Sequence, residues 1–191
     1  GTNEPSLSYI REIHQWFADR LWIYRHVGQV NSTRLLEVCA YGAKRYGIKH
    51  FVIDSLMMLE DVPEEGKGAF EAQRRFMSAV AAFAKQYACH VNVVAHPRKA
   101  QDEKSGPGKL DVSGSGKITN MADNVFSVWA KLREENEESD GGPDGKIELL
   151  KQRNGESQHR VLWFWFEPKS LQYCDNKWKR PKQYMPETVP A

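Results

Sequence analysis

Three short apolar segments of this chain end in polar residues that could act on a phosphate. They are residues 51–53 before Asp54, residues 91–95 before His96, and residues 146–150 before Lys151 and Arg153. A carboxylate can hold Mg²⁺ beside a phosphate, an imidazole can hydrogen-bond a terminal phosphate, and paired cations can bind phosphate oxygens. The sequence therefore predicts a nucleoside triphosphate site, provided that the fold brings these ends together.

Asp54 follows a hydrophobic strand, which is the Walker B pattern. At the carboxyl end of a parallel strand its carboxylate could coordinate Mg²⁺ directly or through water, and Ser55 would supply a second oxygen. The structural alternative stays open, because many strands of α/β proteins end in an aspartate that caps the next turn.

His96 is followed by Pro97, which ends the strand. We therefore expect His96 beside Asp54, at the edge where open α/β sheets bind ligands. There it could report the loss of a terminal phosphate, although a lone histidine is equally well explained as a structural residue.

Lys151 and Arg153 are one pleat apart on the same face of a predicted strand, and Gly155 turns the chain directly afterwards. Two cations at this spacing can reach one phosphate group, and arginine suits bidentate contact with its oxygens. The alternative is a solvated, charged strand face.

Two neighbouring loops on the Asp54 edge carry basic residues that could follow the phosphates of a single nucleic-acid strand, and a polar residue, Asn120, follows them. The basic residues are Arg98, Lys99, Lys104, Lys109 and Lys117. Acidic neighbours offset part of this charge, so a solvated loop is the alternative. The segment 113–117 is not a P-loop, since Asp111 stands where that motif needs glycine and Ile118 where it needs Ser or Thr.

Apolar patterning predicts the elements that position these groups. We expect helices over residues 8–20, 31–47, 66–87 and 115–122, and strands over residues 21–24, 48–53, 91–95, 125–131, 146–151 and 161–166. Strand–helix–strand alternation indicates parallel pairing, and the last two strands should pair antiparallel. Trp163 and Trp165 could stack on bases, but an alternating aromatic strand more often packs in a core.

Composition narrows the class of protein. The 191 residues suffice for one domain, and the net charge of +2 does not by itself indicate nucleic-acid binding. Cys39, Cys89 and Cys174 lack disulfide or zinc spacing and indicate a reducing compartment. No apolar run approaches the roughly 18 residues of a membrane span, so we expect a cytoplasmic protein without membrane contact.

In this order, the motifs resemble the RecA-type motor domain of replicative helicases of the DnaB superfamily, closest to phage primase–helicases and Twinkle. The segments that carry the resemblance are 21–28, 50–55, 93–99, 114–123 and 150–155. The resemblance implies an α/β fold with a RecA-like P-loop NTPase core, in which a mostly parallel sheet is flanked by helices and followed by an antiparallel extension. It also implies ATP and Mg²⁺ as cofactors, single-stranded DNA as partner, and a ring, expected to be a hexamer, in a bacterial or phage-infected cell.

The resemblance also implies residue roles. Asp54, with Ser55, would bind nucleotide and Mg²⁺, and His96 would link the terminal phosphate to the DNA loops. Lys151 and Arg153 would reach into a neighbouring subunit's ATP, with Arg153 as the arginine finger. The basic loops and Asn120 would grip DNA in the ring's channel.

The Walker A loop and the catalytic glutamate of the family match no segment of this chain, and Glu12 lies on no motif. We therefore expect residues 1–174 to be a partial motor domain, followed by a basic, proline-containing tail over 175–191, and the fragment alone to bind ATP weakly or not at all. Two alternatives remain: another RecA-fold ATPase such as a recombinase, and a non-catalytic module that binds DNA or a partner.

Overall fold

A computed structural model describes residues 6–96, 116–131, 141–155, 160–178 and 181–182. The helices are α1 (Leu7–Phe17), α2 (Ser32–Tyr46), α3 (Ala69–Tyr87) and α4 (Gly116–Met121), with a short 3₁₀ helix over Leu56–Met58. The strands are β1 (His50–Ile53), β2 (His90–Val93), β3 (Asn124–Ala130), β4 (Gly145–Gln152), β5 (Val161–Glu167) and β6 (Gln172–Cys174).

Helix α2 begins and ends where its sequence signals predict. The Asn31 side chain accepts a hydrogen bond from the Thr33 backbone N–H at 3.0 Å, which satisfies one of the open donors of the first turn. Gly47 ends the helix with φ of 68°, a left-handed conformation that glycine adopts without steric cost. Because helix α2 leads directly toward β1, these caps help to fix where the first strand starts.

Strands β1 and β2 pair in parallel through the crossover helix α3, as the alternation of elements predicts. The register aligns His50 with His90 and Ile53 with Val93. Pairing continues beyond the strands, because the Val94 N–H donates to the Ile53 carbonyl oxygen at 2.9 Å. The carboxyl ends of the two strands therefore lie side by side.

The hydrophobic core lies between this parallel pair and helix α3. The buried face of α3 includes Phe76, Met77 and Val80, which have the spacing expected for one side of a helix. They pack in one cluster with Ile53 and with the segment after β1, where Leu56, Leu59 and Val62 are buried. Burial of each such side chain contributes about 1.5–3 kcal/mol, so this cluster anchors the strand ends.

The second sheet is antiparallel, with strand order β3-β4-β5-β6. Strand β4 pairs with β3 on one side and β5 on the other, and the β3–β4 ladder shifts register between Val125 and Phe126. Gly145 begins β4 where an added Cβ would lie 3.2 Å from the Trp129 carbonyl oxygen and 3.1 Å from Tyr173 Cε1. A side chain at this position would therefore press on a neighbouring strand.

The structure confirms an α/β fold with antiparallel pairing toward the C-terminus, but the described residues do not show a mostly parallel sheet. They form two parallel strands and four antiparallel ones. The strand predicted over residues 21–24 is absent: Leu21 and Ile23 are 54% and 82% exposed, and the segment pairs with no neighbour. A short apolar run becomes a strand only where a partner edge is available, and periodicity does not reveal that.

Strand β6 was not predicted, because Gln172–Cys174 has too few apolar residues to show a pattern. The division of the chain at residue 175 stays a prediction. In the described part of the tail, Lys182 and Gln172 exchange two hydrogen bonds, at 2.9 and 3.0 Å.

Candidate nucleotide and nucleic-acid site

Asp54 and His96 leave the parallel sheet at the same edge. Asp54 directly follows β1, and His96 lies three residues beyond the end of β2. After this point the two chains stay joined, since the Leu56 N–H donates to the Val94 carbonyl oxygen at 3.1 Å. Both side chains are exposed. The geometry expected from the sequence, an acid and an imidazole at neighbouring carboxyl ends, is therefore present.

The Asp54 carboxylate makes no hydrogen bond or ion pair with any residue in the described ranges. Ser55, joined to it by a cis peptide bond, is buried, and its carbonyl oxygen accepts the Met58 N–H at 3.1 Å. Mg²⁺ in nucleotide sites keeps several waters and needs only one or two carboxylates besides phosphate oxygens. An exposed, uncommitted carboxylate at a sheet edge fits that requirement, and the described residues contain no cluster of three or more metal-ligating side chains.

Lys151 lies near the end of β4 and contacts the end of helix α4. Its Nζ donates to three carbonyl oxygens, those of Thr119 at 3.0 Å, Asn120 at 2.7 Å and Ala122 at 2.7 Å. The last carbonyl groups of a helix lack intrahelical partners and carry partial negative charge. The ammonium group therefore closes the C-terminal end of α4.

Arg153 follows β4 and binds the same end of α4 from the outside. Its Nη1 lies 2.6 Å from Asp123 Oδ1, and its backbone N–H donates to the Asp123 carbonyl oxygen at 2.9 Å. Nη2 makes longer contacts of 3.5 Å to the carbonyl oxygens of Asn120 and Met121. Because the two side chains of the ion pair are 49% and 65% exposed, it contributes little to stability.

The predicted site residues thus fall into two groups. Asp54 and His96 share the edge of the parallel sheet, whereas Lys151 and Arg153 meet at the end of α4. That end packs toward the same core, since Met121 and Ala122 lie against the cluster that contains Ile53. Within the described residues, Arg153 pairs with Asp123 and not with Asp54.

Most of the predicted DNA-binding residues lie outside the described residues: Arg98, Lys99, Lys104 and Lys109. Lys117 belongs to helix α4, and Asn120 is exposed on the same helix. In β5, Trp165 is partly buried and its Nε1 donates to the Gly141 carbonyl oxygen at 3.3 Å, while Trp163 is 47% exposed beside Lys146. One tryptophan is thus anchored and the other presented at the surface.

Two carboxylates with clear roles were not predicted from the sequence. Asp123 binds Arg153, and its place directly before a strand gave the only signal. Asp61 accepts hydrogen bonds from the Ser32 N–H at 2.8 Å and the Ser32 hydroxyl at 2.6 Å. Partial burial raises the pKa of Asp61, but these bonds and the nearby Arg75 lower it below its usual value overall.

Within the described residues, no helix combines the length and the apolar character that crossing a membrane requires.

Comparisons with known proteins agree with the motif order. No protein-family model matches the chain. A Twinkle homolog of Arabidopsis thaliana, chloroplastic and mitochondrial, is 32% identical over 103 residues, which are 53% of this chain and 14% of the relative. The chain therefore spans only a small part of that relative's length.

Two solved structures share the fold. An ATPase domain of a DnaB-like helicase superposes with a TM-score of 0.70 at 14% identity, covering 90% of this chain and 61% of the other. A DnaB-like replicative helicase, solved with a view to its interactions with primase, gives 0.65 at 16% identity, covering 87% and 40%. The resemblance to a RecA-type motor domain of the DnaB superfamily is thereby confirmed, and this chain has the fold of a DnaB-like helicase domain.

Proposed function

We propose that this chain is part of an ATP-dependent replicative DNA helicase that translocates on single-stranded DNA. The observation that carries the proposal is the parallel pairing of β1 and β2, which places Asp54 and His96 at one edge of the sheet. The likeness to the Twinkle homolog supports a relative of Twinkle and the phage primase–helicases.

Asp54 would hold Mg²⁺, with Ser55 beside it, and the metal with its ATP would supply positive charge next to the transferring phosphate. The exposed carboxylate of Asp54 supports this role, since it has no competing partner in the described ranges. His96 would donate a hydrogen bond to the terminal phosphate from the neighbouring strand end and connect it to the loop that follows.

Arg153 would act in trans, on ATP bound by a neighbouring subunit of a ring. Arginine stabilises charge on the transferring phosphoryl group and can do so across an interface. Its side chain is half exposed and lies beyond the end of β4, which suits a group that reaches outward. The residues that cradle the phosphates would come from a segment that matches no part of this chain.

Single-stranded DNA would bind along the loop 97–115 and helix α4. The basic residues there, Arg98, Lys99, Lys104, Lys109 and Lys117, would neutralise backbone phosphates, and Asn120 would add a polar contact. Each subunit would thus couple the Asp54 edge to DNA through the chain that follows His96.

The test is ATP hydrolysis by the full-length subunit, with and without single-stranded DNA. We expect Mg²⁺-dependent hydrolysis that DNA stimulates, unwinding of a forked substrate, and loss of both with Asp54→Asn. Glu60→Gln, an exposed acid nearby, serves as the matched control and should keep activity. Hydrolysis without unwinding would instead favour a recombinase or another RecA-fold ATPase.

A non-catalytic role is the second candidate, because no phosphate-cradling motif occurs in this sequence. In that case the full-length protein would bind DNA or a partner subunit, and its Asp54→Asn variant would bind as well as the wild type.

A further inference from the structure

Lys151 and Arg153 hold the same helix end in different ways. A lysine ammonium has three N–H donors, and the Lys151 Nζ lies within 3.0 Å of three carbonyl oxygens. Each donor therefore already has an acceptor. A phosphate could gain a hydrogen bond from Lys151 only if the ammonium left helix α4.

The loss of Lys151 from α4 would be costly. Thr119 is only 2% exposed, so its carbonyl oxygen lies in a buried stretch of backbone. A buried polar group that loses a charged partner incurs its full desolvation cost. In addition, α4 has six residues, too few to be stable without outside contacts.

Arg153 is in the opposite situation. Its shortest side-chain contact is to Asp123, an exposed carboxylate, and its contacts to the α4 carbonyl oxygens are 3.5 Å long. An exposed ion pair is worth at most about 1 kcal/mol, so an incoming phosphate can replace it at small cost. Arginine also binds phosphate bidentately, which favours the exchange.

We propose that Lys151 is a positioning residue that fixes the C-terminal end of α4 against β4, and that Arg153 alone exchanges Asp123 for a phosphate. This division rests on the proposed function only for the identity of the phosphate. It assigns Lys151 to the placement of α4, and hence to DNA engagement, whereas Arg153 serves hydrolysis.

The first test uses this chain itself and does not depend on ATP. We expect Lys151→Met to speed hydrogen exchange of the α4 amides about tenfold, the factor expected when a charged hydrogen bond is lost. Lys151→Arg should restore much of the protection, because its guanidinium can donate to the same oxygens. Arg153→Met, the matched control, should change exchange by less than threefold. Equal effects of the two Met variants, or none from Lys151→Met, would overturn the proposal.

The second test uses the full-length subunit and separates placement from phosphate contact. Lys151→Met should raise the DNA concentration for half-maximal stimulation of hydrolysis by a larger factor than it raises KM for ATP. Lys151→Arg should reverse this change. A larger effect on KM for ATP than on the DNA requirement would mean direct phosphate contact and would contradict the division. If the wild-type subunit hydrolyses no ATP, the proposed function fails, while the exchange experiment still decides the role of Lys151.

Discussion

Asp61 caps helix α2 from 29 residues further along the chain, since its two carboxylate oxygens accept the N–H and the hydroxyl of Ser32 at 2.8 and 2.6 Å. The pair ties the start of α2 to the segment that follows β1. It also lines a cavity of about 240 Å³ between α2 and α3, with Arg75 and Phe76 among its other walls.

This contact predicts a pH dependence of stability. Although burial raises the pKa of Asp61, the bonds from Ser32 lower it below its usual 3.8, so the folded state binds the proton less well than the unfolded state. The contribution is present above pH 3.8 and is lost as the pH falls through the lower folded pKa. Asp61→Asn should cost roughly 0.5–1 kcal/mol in urea unfolding at pH 7, and this difference should shrink below pH 4. Glu60→Gln is the control, and an equal loss there would contradict the assignment.

The Cys39 thiol should be unusually unreactive. Burial, together with the nearby Cys89, raises its pKa from the ordinary 9.0 to about 11. At pH 8 it should form about a hundredfold less thiolate, and hence react with iodoacetamide about a hundredfold more slowly, than an ordinary cysteine. The sign for stability is the reverse of that for Asp61, because folding loses this contribution as the pH rises from 9 to about 11. Peptide mass spectrometry with Cys174 as internal reference checks the order of labelling.

Phe76→Ala should remove much of the stability of the parallel unit. Phe76 is 3% exposed at the centre of the cluster that holds Ile53, and such truncations cost about 3–5 kcal/mol. Phe70→Ala lies on the same helix at 36% exposure and should cost clearly less. Urea denaturation of both variants measures the difference, and equal losses would show that the core lies elsewhere.

Gly145→Ala should disturb the antiparallel sheet. The added Cβ would meet the Trp129 carbonyl oxygen at 3.2 Å, a backbone atom that moves only with its strand, so we expect a cost of about 1–3 kcal/mol. Val128→Ala, at a 68% exposed position of β3, is the control and should change stability by about 0.5 kcal/mol or less. A variant as stable as the wild type would mean that β3 shifts freely relative to β4.

Arg153→Ala should abolish ATP hydrolysis in the full-length ring while leaving nucleotide binding nearly intact. Loss of an arginine that acts in trans lowers kcat by about 10³–10⁵-fold. Arg34→Ala, an exposed arginine of α2, should retain activity. Equilibrium binding of a fluorescent nucleotide separates the two readouts, and weaker binding by the monomer would place Arg153 in its own subunit's site.

Local signals in the sequence were sufficient for the elements that carry Asp54 and His96. The Asn31 cap and Gly47 bounded α2, and the apolar spacing of Phe76 and Val80 marked the buried face of α3. Because two strands joined through a helix pair in parallel, the shared edge followed from element order alone.

The end of α4 could not be predicted in the same way. The contacts of Lys151 with Thr119 and Ala122 span about thirty residues, and a lysine at a strand end looks the same whether it binds a phosphate or a carbonyl oxygen. The segment 21–24 failed for a related reason, because an apolar run carries no information about whether a pairing edge exists.

The carbonyl contacts of Lys151 also set an order of events during synthesis. A six-residue helix is unstable without outside contacts, and the ammonium that closes α4 lies 30 residues beyond the helix end at Met121. A growing chain that has not yet reached residue 151 therefore lacks the group that completes α4. The parallel unit of β1, α3 and β2 can assemble first, and the segment between the two sheets settles only after the later hairpin has emerged from the ribosome.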